Sequence, residues 1–229
     1  MMLKIALAEE ERRGGQLMSW WDGDGVAQVI AHDDYALLLE RASGRVSLAE
    51  MARCGKDDEA SRIICAVAAR LHVPRMEPLP ELVPLADWVR ALAPAAATHG
   101  GIFRASADAA RKLLAAPRDI TVLHGDIHHG NVLDFGSRGF LAIDPKGLIG
   151  ERAFDFANIF CNPDHATAVT PGRLARQLDV VAEAANLDQS RLLRWILAYA
   201  GLSAAWSIDD GNDPSTALAV AEIAAVELQ

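Results

Sequence analysis

The segment His124-Gly-Asp-Ile-His-His-Gly-Asn131 lies between two short apolar runs, Thr121-Val-Leu123 and Val132-Leu133. Gly125 and Gly130 argue against a helix there, so a loop between buried strands is expected, with Asp126 five residues ahead of Asn131. A further apolar run, Phe140-Leu-Ala-Ile143, ends in Asp144. If 131–134 and 139–144 pair across the polar turn Asp134-Phe-Gly-Ser-Arg-Gly139, Asn131 and Asp144 come side by side at the open end of a hairpin. Asp126 then sits in the loop just before it. An amide oxygen and a carboxylate at one end, beside a second carboxylate, suit a hard oxygen-seeking cation such as Mg²⁺ and an adjacent hydroxyl group. That is equipment for phosphoryl transfer.

The Asp126-x-x-x-x-Asn131 spacing is that of the protein-kinase catalytic loop, in which the Asp accepts a hydroxyl proton and the Asn holds a metal. The literal Asp134-Phe135-Gly136 is a decoy, because strand rise puts it roughly 10 Å from Asn131, too far to share an ion. With Ser137-Arg-Gly-Phe-Leu-Ala-Ile-Asp-Pro-Lys-Gly-Leu-Ile-Gly-Glu151 and Phe156-Ala-Asn-Ile-Phe160, the segment resembles the aminoglycoside phosphotransferase superfamily. The branch it resembles most is that of streptomycin 6-phosphotransferases and hydroxyurea kinases. Trp20-Trp-Asp-Gly-Asp-Gly25 and Gly201-Leu-Ser-Ala-Ala-Trp206 are similar to that branch too, so the resemblance spans essentially the whole chain.

The resemblance implies an α+β, protein-kinase-like, two-lobed fold and an ATP- and Mg²⁺-dependent phosphotransferase. Its acceptor would be a hydroxyl of a small molecule, an aminoglycoside such as streptomycin, or hydroxyurea. Residues 1–41 would form a partial N-terminal β lobe with one helix, and residues 42–229 a mainly helical C-terminal lobe carrying the catalytic loop. Asp126 would orient or deprotonate the acceptor, and Asn131 and Asp144 would hold metal. Lys4 would bind nucleotide phosphates, steadied by a helix glutamate. Matching Trp20-Trp-Asp-Gly-Asp-Gly25 to the family favours Glu11, with Glu10 the near rival, and a solvated first helix turn is the plainer account of both. Glu40, Arg41 and Ala42, at the crossing between lobes, would meet the adenine through their main chain. Asp155 would brace the catalytic loop through backbone hydrogen bonds, an ordinary helix-start carboxylate being the alternative. Kinase-like small lobes carry two more strands ahead of the lysine strand, whereas here three residues precede Lys4. Either the true start lies upstream of Met1, or the chain is a natural fragment whose truncated β lobe leaves the nucleotide roof open, and a non-catalytic ligand-binding relative is the second reading.

Bulk composition narrows the classes. Apolar residues make up 51% and charged residues 23%, as in a soluble globular protein. The formal net charge of −9 argues against nucleic acid and suits a cationic small molecule. Without an apolar run of ~18 residues or a signal-peptide pattern, no membrane association is expected and the compartment is read as cytoplasmic. Cys54, Cys65 and Cys161 lie far apart, so they are read as isolated thiols. The i, i+4 pair His124 and His128, with His129, leaves a zinc-dependent hydrolase as a third reading.

Along the chain, residues 1–8 read as a strand, Glu9–Trp21 as a helix, and 26–30 and 35–39 as strands joined by His32-Asp-Asp34. Helices are expected over 57–71, 84–97, 106–116 starting at Ser106, 173–185, 188–207 and 213–228, with a Pro-rich linker at 72–80. Trp195, Tyr199 and Trp206 are read as core. Asp209, Asp210 and Asp213 are candidates to meet cationic groups of an acceptor. Pro145, fixing φ where protein kinases have Phe, excludes a flipping activation segment.

Overall fold

The computed structural model describes residues 1–33 and 35–229, so Asp34, in the expected link between the second and third strands, lies outside the described residues. Three strands, β1 (Met2–Ile5), β2 (Val29–His32) and β3 (Ala36–Leu39), form an antiparallel sheet in the order β1-β3-β2. Lys4 stands opposite Leu37, whose side chain is buried, so the lysine shares the inward face, while Leu3 and Ile5 alternate outward. Between β1 and β2 runs α1 (Glu9–Trp21), three glutamates in its first turn facing the positive end of its dipole. Leu17, Met18 and Trp21 are its buried stripe. Gly15 lets the helix close on Leu37, where any side chain would collide.

The second strand starts later than the sequence indicates. Val26 and Ala27 are fully buried and tie to the hairpin instead, with Ala27 N donating to Ala142 O and Ala142 N to Gly25 O at 2.9 Å each. Burial against another element outranked the local strand pattern there.

The remainder is largely helical. After α2 (Leu48–Arg53), capped by Ser47, α3 (Asp57–Leu71) buries Ala60, Ile64, Val67, Ala68 and Leu71 along one face. The expected helix over 84–97 is broken into β4 (Val83–Pro84), α4 (Leu85–Trp88), a 3₁₀ turn (Val89–Ala91) and α5 (Leu92–His99). Helix α6 (Gly101–Ala115) starts ahead of Ser106, after Gly100 and Gly101 turn the chain at positive φ. Ser106 lies buried in mid-helix against Gly201, where a Cβ would collide with it, so tertiary packing overrides its capping preference.

Strands β5 (Ile120–Leu123), β6 (Val132–Asp134), β7 (Phe140–Ala142) and β8 (Leu148–Glu151) surround the motif. The hairpin forms in the expected register, Val132 opposite Ala142, and β5 and β4 flank β8 in a second three-stranded sheet. A 3₁₀ run (Arg152–Cys161) then leads into α7 (His165–Ala168), α8 (Arg173–Ala185), α9 (Gln189–Asp209) and α10 (Ser215–Glu227). Phe154 packs edge-on against Trp195 and Tyr199, with centroids 5.4 and 5.7 Å away. One contiguous apolar core runs from Trp21 and Leu37 through Ile64 and Leu141 to Trp195. No helix among the described residues is long and apolar enough to cross a membrane.

Candidate active site

Strand β5 delivers the chain into a loop whose shape is fixed from below. The Asp155 carboxylate, 1% exposed, accepts from His124 N at 2.9 Å and from Gly125 N at 2.7 Å, and lies 2.7 Å from His72 Nε2. The bracing role expected for Asp155 is thus what its two oxygens perform. Glu151 faces elsewhere, pairing with Arg191. Gly125 has φ +84°, and a side chain there would strike Leu148. The imidazole of His124 is fully buried, its Nε2 2.9 Å from Ile143 O while Asp126 N donates to its Nδ1 at 3.2 Å. Nε2 therefore carries the proton, and burial pushes the His124 pKa down to about 4, so the ring is neutral.

Asp126 is gripped at both oxygens, by Asn158 Nδ2 at 2.7 Å on Oδ1 and by Asn131 Nδ2 at 3.1 Å on Oδ2. Burial raises its pKa to about 6, with the Lys146 ammonium acting against the rise. Asn131 also donates to Asp126 O at 2.9 Å, which commits its amide nitrogen and leaves its Oδ1 as the acceptor still to be used. Ile143 N donates to Asn131 O at 2.9 Å, so Asp144 follows directly on the residue paired with Asn131, in a left-handed conformation at φ +60°. Its carboxylate meets two ammonium groups, Lys4 on Oδ1 and Lys146 at 3.5 Å from Oδ2. Against the burial that would raise it, these hold the Asp144 pKa below the usual carboxylate value.

Lys146 was not singled out from the sequence. Besides Asp144 it reaches Glu10 Oε1 at 3.1 Å and Asp126 Oδ2 at 3.8 Å, and its pKa is raised by these carboxylates despite desolvation. Asn158 was quoted only as part of a family run. The signal for both was position, one two residues past a metal-type Asp and the other three past the bracing Asp.

On the nucleotide side, the expected pairing of Lys4 with Glu11 is not the one formed. Lys4 faces the site as expected, but its partner is Asp144 rather than Glu11. Glu11 Oε2 instead accepts from Leu7 N at 2.8 Å and Ala8 N at 3.0 Å, the reach-back of a residue in the third position of α1, and those amides hold its pKa down. Its rival Glu10 turns inward, to Lys146. The Glu40 side chain is spent on Gln28 N at 2.7 Å and on the Arg138 guanidinium, clamping the crossing to the hairpin turn. Arg41 and Ala42 continue without regular secondary structure, and their main-chain groups enter none of the turn and loop hydrogen bonds found among the described residues. Asp134 sits at the far turn, accepting from Val46 N and Gly136 N, and takes no part in the site.

Above Asp126 opens a cavity of about 880 Å³. Asp126 and Lys146 form its floor, and Glu9, Glu10, Glu81, Asp87 and Asp210 outnumber Arg13 and Arg90 around its walls. Tyr199, Trp88 and Trp206 supply aromatic surface, the two indoles edge-to-face at 5.4 Å. Trp206 is therefore a wall of the cavity as well as a packing residue. Of the three aspartates proposed for cationic groups, Asp210 lines the cavity; Asp213 is exposed and turned to Ser215, and Asp209 does not border it. Another cavity, of about 820 Å³, has its arginines committed, Arg173 to Asp57 and Arg53 to Asp164.

The histidines diverge. His128 Nδ1 accepts from Gly130 N at 3.1 Å and His129 is buried 3.7 Å from Asp57. Among the described residues no three His, Cys, Asp or Glu side chains gather to hold a metal ion, which removes the basis for a zinc hydrolase. A hard cation of the Mg²⁺ type needs less from protein, since phosphates and water complete its shell. The uncommitted Asn131 Oδ1 and an Asp144 carboxylate already facing two cations fit that demand.

Comparison with known proteins agrees with this geometry. Residues 1–211 match the profile described as aminoglycoside/hydroxyurea antibiotic resistance kinase. A streptomycin 3''-kinase of Klebsiella pneumoniae is 54% identical over 215 residues, covering 92% of this chain and 80% of that protein. A streptomycin 6-kinase of Streptomyces griseus is 32% identical over 238 residues, covering 98% and 75%. Among solved structures, aminoglycoside phosphotransferase APH(3'')-Id from Streptomyces rimosus, in complex with ADP and streptomycin, superposes with a TM-score of 0.57. It is 19% identical and the match covers 85% of this chain and 81% of that one, a likeness of fold.

Proposed function

Since the chain belongs to the aminoglycoside/hydroxyurea antibiotic resistance kinases, small-molecule phosphotransferases of protein-kinase-like α+β fold, we propose that it transfers the γ-phosphoryl group of ATP to streptomycin, at the 3''-hydroxyl. The observation that carries this reading is the cavity over Asp126. It is far larger than a molecule the size of hydroxyurea requires, it is walled by carboxylates suited to guanidinium groups, and it offers indole faces to a sugar. The 54% identity to a 3''-kinase, against 32% to a 6-kinase, supports the choice of hydroxyl.

In this reading Asp126 receives the acceptor hydroxyl. Asn158 and Asn131 hold its two oxygens, so the carboxylate is aimed before substrate arrives. With a pKa of about 6 it is ionised at neutral pH yet more basic than an exposed aspartate. Little covalent chemistry is asked of the protein, because the transferring group passes through a loose transition state stabilised by position and charge. Asn131 and Asp144 would hold Mg²⁺, which when bound neutralises phosphate oxygens. Lys4 exchanges Asp144 for the phosphates, and the main chain of 40–42 meets the adenine. Residues 1–41 thus serve as the nucleotide-side lobe and 42–229 as the lobe carrying the catalytic loop. Use of ATP as phosphoryl donor supports reading the reaction as cytoplasmic.

The test is ADP release by the purified chain with MgATP and either streptomycin or hydroxyurea, followed by NMR of the product. Streptomycin-dependent ADP release with phosphate on the 3''-oxygen is expected. Phosphate on the 6-oxygen would correct the regiochemistry, and no release with streptomycin would overturn the reading.

A further inference from the structure

Lys146 stands beside Glu10, Asp126 and Asp144, where the β1–α1 corner meets the loop. Its main chain is anchored, with Lys146 N donating to His124 O at 2.7 Å, and Gly147 turns away at φ +70°. Its ammonium hangs among three carboxylates, yet only Glu10 at 3.1 Å lies within hydrogen-bond reach; Asp144 at 3.5 Å and Asp126 at 3.8 Å act through charge. Lys4 already neutralises the other oxygen of Asp144. An Asp144 that takes up a divalent cation cannot keep both ammonium groups, and the two lysines differ in where they stand: Lys146 lines the acceptor cavity, whereas Lys4 does not. Between the acceptor-binding Asp126 and the metal-type Asp144 is the space the phosphoryl group must cross. A flexible stem carrying a compact charge with three donors can follow it there.

We propose that Lys146 is a catalytic residue whose ammonium leaves Asp126 and Asp144 for the oxygens of the transferring phosphoryl group, with Glu10 as its tether in the resting site. This rests on the phosphotransferase reading. In the step, the bond from the γ-phosphorus to the bridging oxygen of ADP breaks and ADP leaves with the electron pair. The acceptor oxygen bonds to that phosphorus and gives its proton to Asp126. Lys146 remains protonated throughout, opposing charge that gathers on the equatorial oxygens, the task an arginine finger performs elsewhere. Glu10 is a positioning residue, acting through the lysine.

The proposal separates Lys146 from a plain counter-charge by binding as well as turnover. Affinity for MgADP is measured with and without aluminium fluoride, which mimics the planar transferring group, in the presence of streptomycin. Wild type is expected to bind MgADP at least about tenfold more tightly with the fluoride, as for a transition-state mimic. Lys146→Met should bind MgADP alone as well as wild type or better, lose the fluoride-dependent tightening, and show kcat lowered by about 10²–10³ with KM for ATP little changed. Lys146→Arg should recover part of the tightening, which excludes misfolding as the cause of the loss. Full fluoride-dependent tightening in Lys146→Met would overturn the proposal and leave Lys146 a counter-charge. Failure of wild type itself to bind MgADP or respond to fluoride would overturn the phosphotransferase reading and this one with it, a failure recognisable because it is not confined to the variant.

Discussion

The catalytic loop and the β1–α1 corner meet at the same carboxylate, Asp144, but are built in opposite ways. The loop is tied into the core: Asp155 and His124 are buried, and four separate hydrogen bonds fix the backbone and amides around Asp126. The corner is open. Leu3 and Ile5 are 64% and 51% exposed, and Lys4 and Glu10 are held to the site by ion pairs with Asp144 and Lys146. Where acid–base geometry must be right before substrate binds, the protein spends buried hydrogen bonds. Where the proposed cycle has charges change partners, it uses partly exposed ion pairs of small net strength.

Removing the carboxylate proposed to receive the acceptor should give the largest effect. Asp126→Ala is expected to lower kcat by about 10³–10⁴ or more while MgADP affinity stays within a few fold, because the Asp155 bonds to His124 N and Gly125 N and the Asn131 bond to Asp126 O do not pass through that side chain. Isothermal titration beside steady-state kinetics reads both quantities. Turnover within tenfold of wild type would deny Asp126 its role.

The brace itself comes next, and it tests whether the loop is as tied as it looks. Asp155→Ala leaves the amides of His124 and Gly125 and the ring of His72 without their shared partner, in a site that water does not reach. A loss of about 3–5 kcal/mol in urea-induced unfolding is expected, together with loss of activity. Lys4→Met, at the open corner, should cost well under about 1 kcal/mol in the same assay and show itself instead as a raised KM for ATP. Equal stability losses at the two positions would erase the contrast.

How much of this could be read from the sequence follows the same division. Asp126, Asn131 and Asp144 were legible because one short hairpin brings them together, and the pairing Val132 opposite Ala142 depends only on residues between them. Asp155 was legible as a brace through the family pattern. Lys146 was not, because its meaning comes from Glu10, at the other end of the chain, and spacing carries no information about that meeting. The choice of Glu11 over Glu10 failed for a related reason: both lie in the first turn of α1, and which one turns inward is decided by the helix's need for a cap at its own start. Ser106 misled because a local preference for capping lost to what faces it in space, whereas Trp206 packs on the core as read and also reaches the cavity wall.

The buried loop should also be visible in pH. Asp126 has a folded pKa of about 6 against roughly 3.9 when unfolded. The folded protein therefore binds the proton more tightly, so this group's contribution to stability is greatest below about pH 4 and declines as pH rises toward about 6. Carboxylate-carbon NMR of the ligand-free protein should show one aspartate titrating near pH 6 and absent in Asp126→Asn. A titration near pH 4 would mean that the Lys146 charge outweighs burial, and the loop would then be less dry than its hydrogen bonds imply.

The smallest effect is the one that most directly separates cap from catalysis. Glu11→Ala removes the carboxylate that serves Leu7 N and Ala8 N, at a cost of about 0.5–1 kcal/mol in thermal or urea unfolding, with kcat and KM for ATP near those of wild type. Glu10→Ala should do the reverse, leaving stability almost unchanged because the Glu10 carboxylate itself is 36% exposed, and lowering kcat through a Lys146 that has lost its tether. If Glu11→Ala instead raised KM for ATP, Lys4 would be taking it as a partner during turnover. The resting arrangement would then be one of two positions of α1, and the corner would be mobile as a whole helix rather than at the tips of its side chains.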